Sequence, residues 1–474
     1  MFTLTKKFDN LIEFVRDKCD KYVYSFFVPL LTSFLVLLFW FANWQIVGFS
    51  IVILFCCFTL IFYDDFLPLV PLMLILPMCF RDSTNAFANN SAFFIVLFAL
   101  LAIAIVFHLI KYPMKNIKLD GFFFFLVVLN IVLLISGIFS NNSKNYFKAM
   151  DIYLISGVMP LAVHLFFYNK VNLSKKVNHR KYLCTAFIIA ITVACVQLCY
   201  ARLIDFYFGK HFWTPHLPNF CWANTNNIGN LILLAVPLCC YLMLSSKHVW
   251  AWMLEILFFY CAMFVSGSDG ALAALLVCTP FLMFFVYKNC FRENFNFIKT
   301  TFFSITAIIV IVVVGVVLFD TAFLLTFLEE SSSGSGRIWA YELAISDFLE
   351  YPIFGIGLGG GRASLDAIAK THNYHGFYHS TFFHILACGG IIGIITYVAY
   401  YVVRIKYILK NGSLLGESVF YAFVMFGIYG MIDTGEFNIV LLFMTTLITI
   451  VGLLNKNGSD DKPLPLFVKI PKFN

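Results

Sequence analysis

The stretch from Ser331 to Gly393 holds the side chains most able to do chemistry together: Arg337, Arg362, His372, His375 and His379, with five glycines between Gly355 and Gly361. It is the only long interval of the second half too polar to lie in lipid. Arg337 follows a Ser/Gly-rich turn that leaves its guanidinium free to reach a ligand, and the planar fork of an arginine donates two parallel hydrogen bonds to a phosphate. The run GIGLGGGR from Gly355 to Arg362 admits two readings. It is either a glycine-rich turn between two loop helices or an anion nest in which backbone N–H groups and Arg362 hold a pyrophosphate. A dinucleotide fingerprint is excluded, because no strand precedes the glycines in a βαβ unit. The histidines, spaced H-x2-H-x3-H, share one face if their segment is helical. No cysteine accompanies them and the nearest carboxylate, Asp366, lies six residues before His372, so a metal would lack ligands. An imidazole at the mouth of the following apolar run is suited instead to taking a proton from a hydroxyl near neutral pH.

A second polar loop, 201–227, offers Arg202, Lys210, His211 and His216 among aromatic residues. Aromatic faces beside amides and cations suit carbohydrate, and they are equally what a membrane interface carries. In the loop 141–151, Lys144 and Lys148 point to an anionic ligand on the same side of the membrane.

The elements that must position these groups are helices in lipid. Of 474 residues 61% are hydrophobic and only 12% charged, and mean hydropathy is +0.88; soluble domains carry about a quarter charged residues. The apolar runs approach the roughly 20 residues with which a helix satisfies its own backbone across a bilayer, whereas a barrel shows alternating segments of about 10. Runs at about 22–41, 45–63, 66–80, 92–110, 121–140, 152–168, 182–200, 228–245, 250–267, 270–287, 301–319, 380–403, 415–432 and 437–454 predict some fourteen spans, or twelve if two are re-entrant. The fold class is an all-α polytopic transmembrane bundle with one large helical extracytoplasmic loop. The run at 66–80 carries Pro68, Pro71 and Pro77, which marks it as broken or tilted. Asp269, in the junction Ser266 to Gly270, is costly in lipid unless it meets a wet cavity or a partner. Residues 337–350 read as a helix lying on the membrane, with Ile338, Tyr341, Ala344, Ile345, Phe348 and Leu349 on one face and Glu342, Ser346, Asp347 and Glu350 on another.

The formal charge of +7 resides in short connectors, which the positive-inside rule explains without nucleic acid. Lys111, Lys115 and Lys118; Lys170, Lys175, Lys176, Arg180 and Lys181; Lys288, Arg292 and Lys299; and Arg404, Lys406 and Lys410 occupy four connectors that fall on one side. Both termini are then cytoplasmic in a single membrane domain. Residues 1–21 form a cap, 22–319 eleven spans, 320–379 the large outer loop, 380–454 three spans and 455–474 a tail. Nearly all of the 14 cysteines fall within apolar runs, and only Cys221 is placed in an outer loop, so neither a disulfide framework nor a zinc site is expected.

In order, GSGR at 334–337, the series Trp339, Leu343, Pro352, Gly355, Gly357, and a histidine eleven residues before GIIG at 390–393 resemble the O-antigen ligase and O-antigen polymerase superfamily. Upstream, WANTNNIGNLILLAVPL at 222–238 is similar to that family's asparagine-rich outer loop entering a span. The resemblance covers roughly the C-terminal half. It implies a metal-independent glycosyltransferase without a cofactor, working at the outer face of the bacterial plasma membrane on an undecaprenyl-pyrophosphate-linked glycan donor. In that implication His379 is the general base on the acceptor hydroxyl and Arg337 holds the departing pyrophosphate; Arg362, Arg202, Lys210, His372 and His375 are the candidate substrate contacts that the polar loops themselves offer. Many members carry S-x-R-G-A at the junction of the ninth and tenth spans; here Asp269 stands in the arginine's place, and Arg202, Lys210 or Arg362 would have to supply the contact. The acceptor is a lipid A-core type glycolipid for a ligase and another lipid-linked glycan for a polymerase. A flippase or transporter, the alternative from another class, would carry charges at mid-span and internal repeats.

Overall fold

The computed structural model describes residues 2–81, 90–114, 117–136, 157–171, 177–207, 224–246, 248–292, 337–358, 378–410 and 412–454. Among them are fifteen α-helices and no strand. In chain order these are α1 (Phe2–Val23), α2 (Phe27–Phe41), α3 (Gln45–Phe62), α4 (Leu69–Ile75), α5 (Ser91–Lys111), α6 (Gly121–Ile135), α7 (Met159–Val171) and α8 (His179–Tyr207). The second half adds α9 (Thr225–Ser245), α10 (Val249–Ser266), α11 (Asp269–Arg292), α12 (Arg337–Glu350), α13 (Thr381–Leu409), α14 (Leu414–Gly430) and α15 (Ile439–Leu453). Among the described residues seven helices are long and apolar enough to cross a membrane, or eight if the bent pair α1–α2 counts as one span, and four apolar segments are shorter. The chain is a multi-pass helical membrane protein. The run expected at 301–319 lies outside the described residues, as do 320–336 and 359–377.

The bundle is built around α9. Residues Ile228 to Leu244 are all buried in it, as expected of a helix that is hydrophobic all round and therefore needs protein on every side. Helices α8, α10, α11 and α14 supply that surround. Ser418 Oγ donates to the Pro237 carbonyl at 2.6 Å, tying α14 to α9.

The prolines of the run at 66–80 act as expected. Helix α4 gives way to a 3-10 turn, Leu76–Cys79, at Pro77, and about eleven residues at 1.5 Å each reach only half the hydrocarbon thickness. The segment is embedded in protein and does not cross. The N-terminal cap is itself helical: α1 meets α2 at 76°, and Arg16 Nε donates to the Phe62 carbonyl at the end of α3, at 2.6 Å.

Two of the basic connectors, those after α5 and α7, share an end of the bundle. Lys111 pairs with Asp9, Lys170 reaches Asp64 at 2.8 Å and the Tyr112 carbonyl at 2.6 Å, Arg180 donates to the Leu454 carbonyl, and Lys181 to that of Ser245 at 2.8 Å. Arg404 departs from its sequence neighbours. It does not lie in a basic connector with Lys406 and Lys410 but is 2% exposed, with Nη2 3.4 Å from Glu436 inside the bundle. The expectation that charge stays in the loops is corrected by this pair. Three tyrosines and a carboxylate around the guanidinium are what make it tolerable there.

Helix α13 is broken at Gly390, whose φ of 61° and ψ of −159° interrupt the ladder. The groups freed by the break bind the segment after α12. Ile356 N–H donates to the Ala387 carbonyl at 2.9 Å, while the N–H groups of Ile391 and Ile392 donate to the Pro352 and Ile353 carbonyls at 2.9 and 3.2 Å. A Cβ on Gly390 would lie 2.5 Å from Ile353 O, and one on Gly355 2.5 Å from Ala387 O. Two glycine motifs far apart in sequence are thus the two sides of one backbone contact, and it fastens α12 to α13.

Candidate functional site

Ser380 caps α13, its Oγ accepting from Phe383 N–H at 3.4 Å. The residue before it, His379, has a φ of +49°, a left-handed conformation uncommon outside glycine and met at functional sites. Helix α12 and its neighbours hold it there. Tyr341 donates to the His379 carbonyl at 3.1 Å and stacks on Phe383 with ring centres 4.6 Å apart. Tyr378, fully buried, donates to the Asp347 carboxylate. The left-handed turn removes His379 from any helix, so the one-face arrangement of H-x2-H-x3-H fails at its last member. His372 and His375 lie outside the described residues, together with Arg362, Lys210, His211, His216, Lys144 and Lys148.

Helix α12 has the predicted bounds and a different orientation. Ala340 and Ala344 are fully buried and Asp347 nearly so, whereas Ile338, Ile345 and Leu349 are exposed. Small residues let α12 approach α13 closely, and the buried carboxylate is satisfied by the Tyr378 hydroxyl. Asp347 therefore belongs to the protein-facing side and not to the polar outer face. Arg337 opens the helix, one turn before Tyr341 and on its face. A cation in the first turn opposes the helix dipole, so helix stability does not account for it. Its side chain lies outside the described part.

Behind the imidazole stands a carboxylate from another part of the chain. His379 Nδ1 is 3.8 Å from Asp433 Oδ1, and the imidazole side chain remains 32% exposed. Thr434 N–H donates to the same oxygen at 2.7 Å and Tyr429 Oη to the other at 3.1 Å. The Asp433 carbonyl accepts from both N–H and Oγ1 of Thr381, each at 3.2 Å. Tyr429 Oη lies 3.1 Å from Ser268 Oγ, which is 3.0 Å from Asn226 Oδ1; Ser268 has one proton to share between them. A hydrogen-bonded chain thus runs from the entry of α9, through the α10–α11 turn and the end of α14, to the carboxylate facing His379. Asn226, Ser268, Tyr429 and Asp433 are absent from the residues singled out by sequence, although two acids in the short connector 433–436 between apolar runs were a signal for Asp433.

The α10–α11 turn also settles where Asp269 lies. Gly267 ends α10 in the left-handed region, φ 66°, and Asp269 opens α11, where the helix dipole favours a carboxylate. It stands at a helix end and not at mid-span. Arg202 reaches the same turn, Nε donating to the Val265 carbonyl at 3.1 Å and Nη2 to that of Ser266 at 3.4 Å. These carbonyls are among those a helix C-terminus leaves without internal partners. Arg202, 2% exposed, therefore stabilises the turn. In GIGLGGGR, Gly355 N–H donates to the Tyr351 carbonyl at 2.9 Å and Ile356 N–H to Ala387, so the first two donors of a nest are already engaged; Gly359 to Arg362 lie outside the described residues.

Between α13 and α14 runs an apolar cavity of about 280 Å³, from Thr381 and Met431 past Tyr397 and Phe426 to Val402. Val398, Val402 and Met431 on its rim are exposed. The cavity begins two residues from His379.

An imidazole with a carboxylate 3.8 Å from its Nδ1 thus stands at the head of an apolar groove, beside the helix that Arg337 opens. No curated protein matches the chain. The family described as O-antigen ligase matches residues 230–398, a region that contains α10 to α12, Arg337, His379 and the break at Gly390. Residues 230–398 of the chain are thus similar to the O-antigen ligase family.

Proposed function

We propose that the chain is a membrane glycosyltransferase of the ligase type, moving glycan from an undecaprenyl-pyrophosphate-linked donor to a lipid A-core type glycolipid at the outer face of the bacterial plasma membrane. The observation that carries this reading is the His379–Asp433 pair at the head of the apolar groove. With Nδ1 turned to Asp433, the other ring nitrogen takes the acceptor hydroxyl proton. The acceptor oxygen bonds to the anomeric carbon as the bond from that carbon to the pyrophosphate oxygen breaks, and the pyrophosphate leaves with the polyprenyl chain. Arg337 neutralises the leaving group, with Arg362, Lys210, His372 and His375 as further substrate contacts; Arg202 is turned into the α10–α11 turn and is not among them. The groove supports a donor delivered by lipid. Charge in the outer loops and basic connectors on the opposite side support an extracytoplasmic site with both termini cytoplasmic.

Purified protein in nanodiscs, given lipid-linked glycan, should form product only when the glycolipid acceptor is added, and should do so in EDTA without nucleotide. Chain growth on the lipid carrier without glycolipid would assign it as a polymerase. Movement of the donor across the bilayer without transfer would assign it as a transporter. A cysteine substituted at Ser333 should react with a membrane-impermeant reagent on intact cells; labelling confined to permeabilised cells would reverse the topology.

A further inference from the structure

Arg404 and Glu436 meet inside the bundle, with side chains 3% and 12% exposed. Tyr397 donates its hydroxyl proton to the second Glu436 oxygen, and Arg404 Nη1 donates to Tyr400 Oη at 3.2 Å. The guanidinium carbon lies 4.3 Å from the Tyr401 ring centre and 4.2 Å from that of Phe423. Tyr397, Tyr400, Tyr401 and Arg404 stand at i, i+3, i+4 and i+7, so one face of α13 presents the whole cluster. Taking two charges out of water is costly, and an apolar pair of similar volume commonly holds helices as well or better. Stability alone does not account for the pair.

What it holds is a loop. Glu436 lies in the 3-10 turn Gly435–Phe437, three residues after Asp433. The other end of that loop is tied to Thr381 through the Asp433 carbonyl. An apolar contact can slide, whereas a guanidinium, a carboxylate and a hydroxyl pair in one geometry. We propose that the Arg404–Glu436 pair is a positioning device, anchoring the loop 431–438 from within the membrane so that Asp433 stays behind His379 Nδ1. Neither residue touches a reacting atom; both act through Asp433. This rests on the reading of His379 as general base.

The test uses the full chain in nanodiscs and compares Arg404→Leu/Glu436→Leu, which strands no charge, with Arg404→Lys and Asp433→Asn. Hydrogen exchange across 431–438, melting temperature, and kcat and KM for transfer are measured. The paired variant should insert and melt like the wild type, exchange faster across 431–438 and lose about tenfold in kcat. Arg404→Lys should recover most of that loss. Adding Asp433→Asn to the paired variant should cost little beyond Asp433→Asn alone, as for residues acting as a unit. Wild-type exchange in the loop overturns the proposal, and so does a raised KM at unchanged kcat or a kcat loss that multiplies with that of Asp433→Asn. If the paired variant fails to insert, Tyr397→Phe must loosen the same loop, and unchanged exchange there overturns the proposal equally. Loop exchange does not depend on transfer. Normal transfer by His379→Ala would therefore defeat the general-base reading while leaving the anchoring result to stand or fall separately.

Discussion

The end of the bundle that carries Lys170 and the end that carries His379 use charge differently. At the first, Lys170 is engaged by Asp64 and a backbone carbonyl, Arg16, Arg180 and Lys181 donate to carbonyls, and Lys111 pairs with Asp9. At the second, His379 sits in left-handed backbone with its carboxylate 3.8 Å away, beyond hydrogen-bond range, and a third of its side chain exposed. Cations that close helix ends raise stability and leave nothing for a ligand. A strained, partly exposed imidazole held by its neighbours is the opposite arrangement, and it is the end at which we propose that substrate binds.

The largest effects should fall on the second end. His379→Ala and Arg337→Ala should each insert and melt normally and lose on the order of a hundredfold or more in glycan transfer, with the double variant little worse than the worse single one. His372→Ala should be milder. Near-normal transfer by His379→Ala at normal expression would remove the contrast between the ends. Gly390→Ala comes next: it forces a side chain into positive φ and against Ile353 O, and should lower stability by about 3 kcal/mol with transfer falling alongside, measured by thermal melting and by activity. A variant that melts normally would mean the α12–α13 contact is not what holds the site.

Lys170→Met, at the first end, should cost about 2 kcal/mol in stability through lost charged hydrogen bonds and leave transfer per folded molecule unchanged. A loss of transfer without a loss of stability would mean the two ends are coupled. Smallest of all, Lys288→Ala removes an exposed pair with Glu417 at 3.4 Å and should change stability by less than about 0.5 kcal/mol. A larger shift would show that this pair, unlike most exposed ones, is structural.

Much of this was legible before any coordinate. The bounds of α12 and the broken segment at 66–80 follow from periodicity and proline chemistry, whereas His379 is singled out by the family resemblance, as the histidine eleven residues before GIIG. Three expectations differ from the structure for identifiable reasons, and the first is the helical grouping of the histidines, which the positive φ of His379 breaks. Arg404 stands beside Lys406 and was assigned to a connector, because hydropathy records proximity along the chain and carries no trace of a carboxylate 32 residues away that draws a side chain inward. The faces of α12 were ranked by hydrophobicity, yet close packing against α13 selected the two alanines, and Asp347 turned inward because Tyr378 supplies its proton.

Composition and run length alone determine that this chain is a helical bundle in lipid, because each helix must satisfy its own backbone within its own stretch of sequence. The environment of His379 is decided only by the tertiary structure. Asn226, Ser268, Tyr429 and Asp433 come from separate helix ends, and the break at Gly390 is completed by carbonyls from Pro352 and Ile353. Hydrogen bonds between helices have no period along the chain, so their partners become defined only when the helices pack.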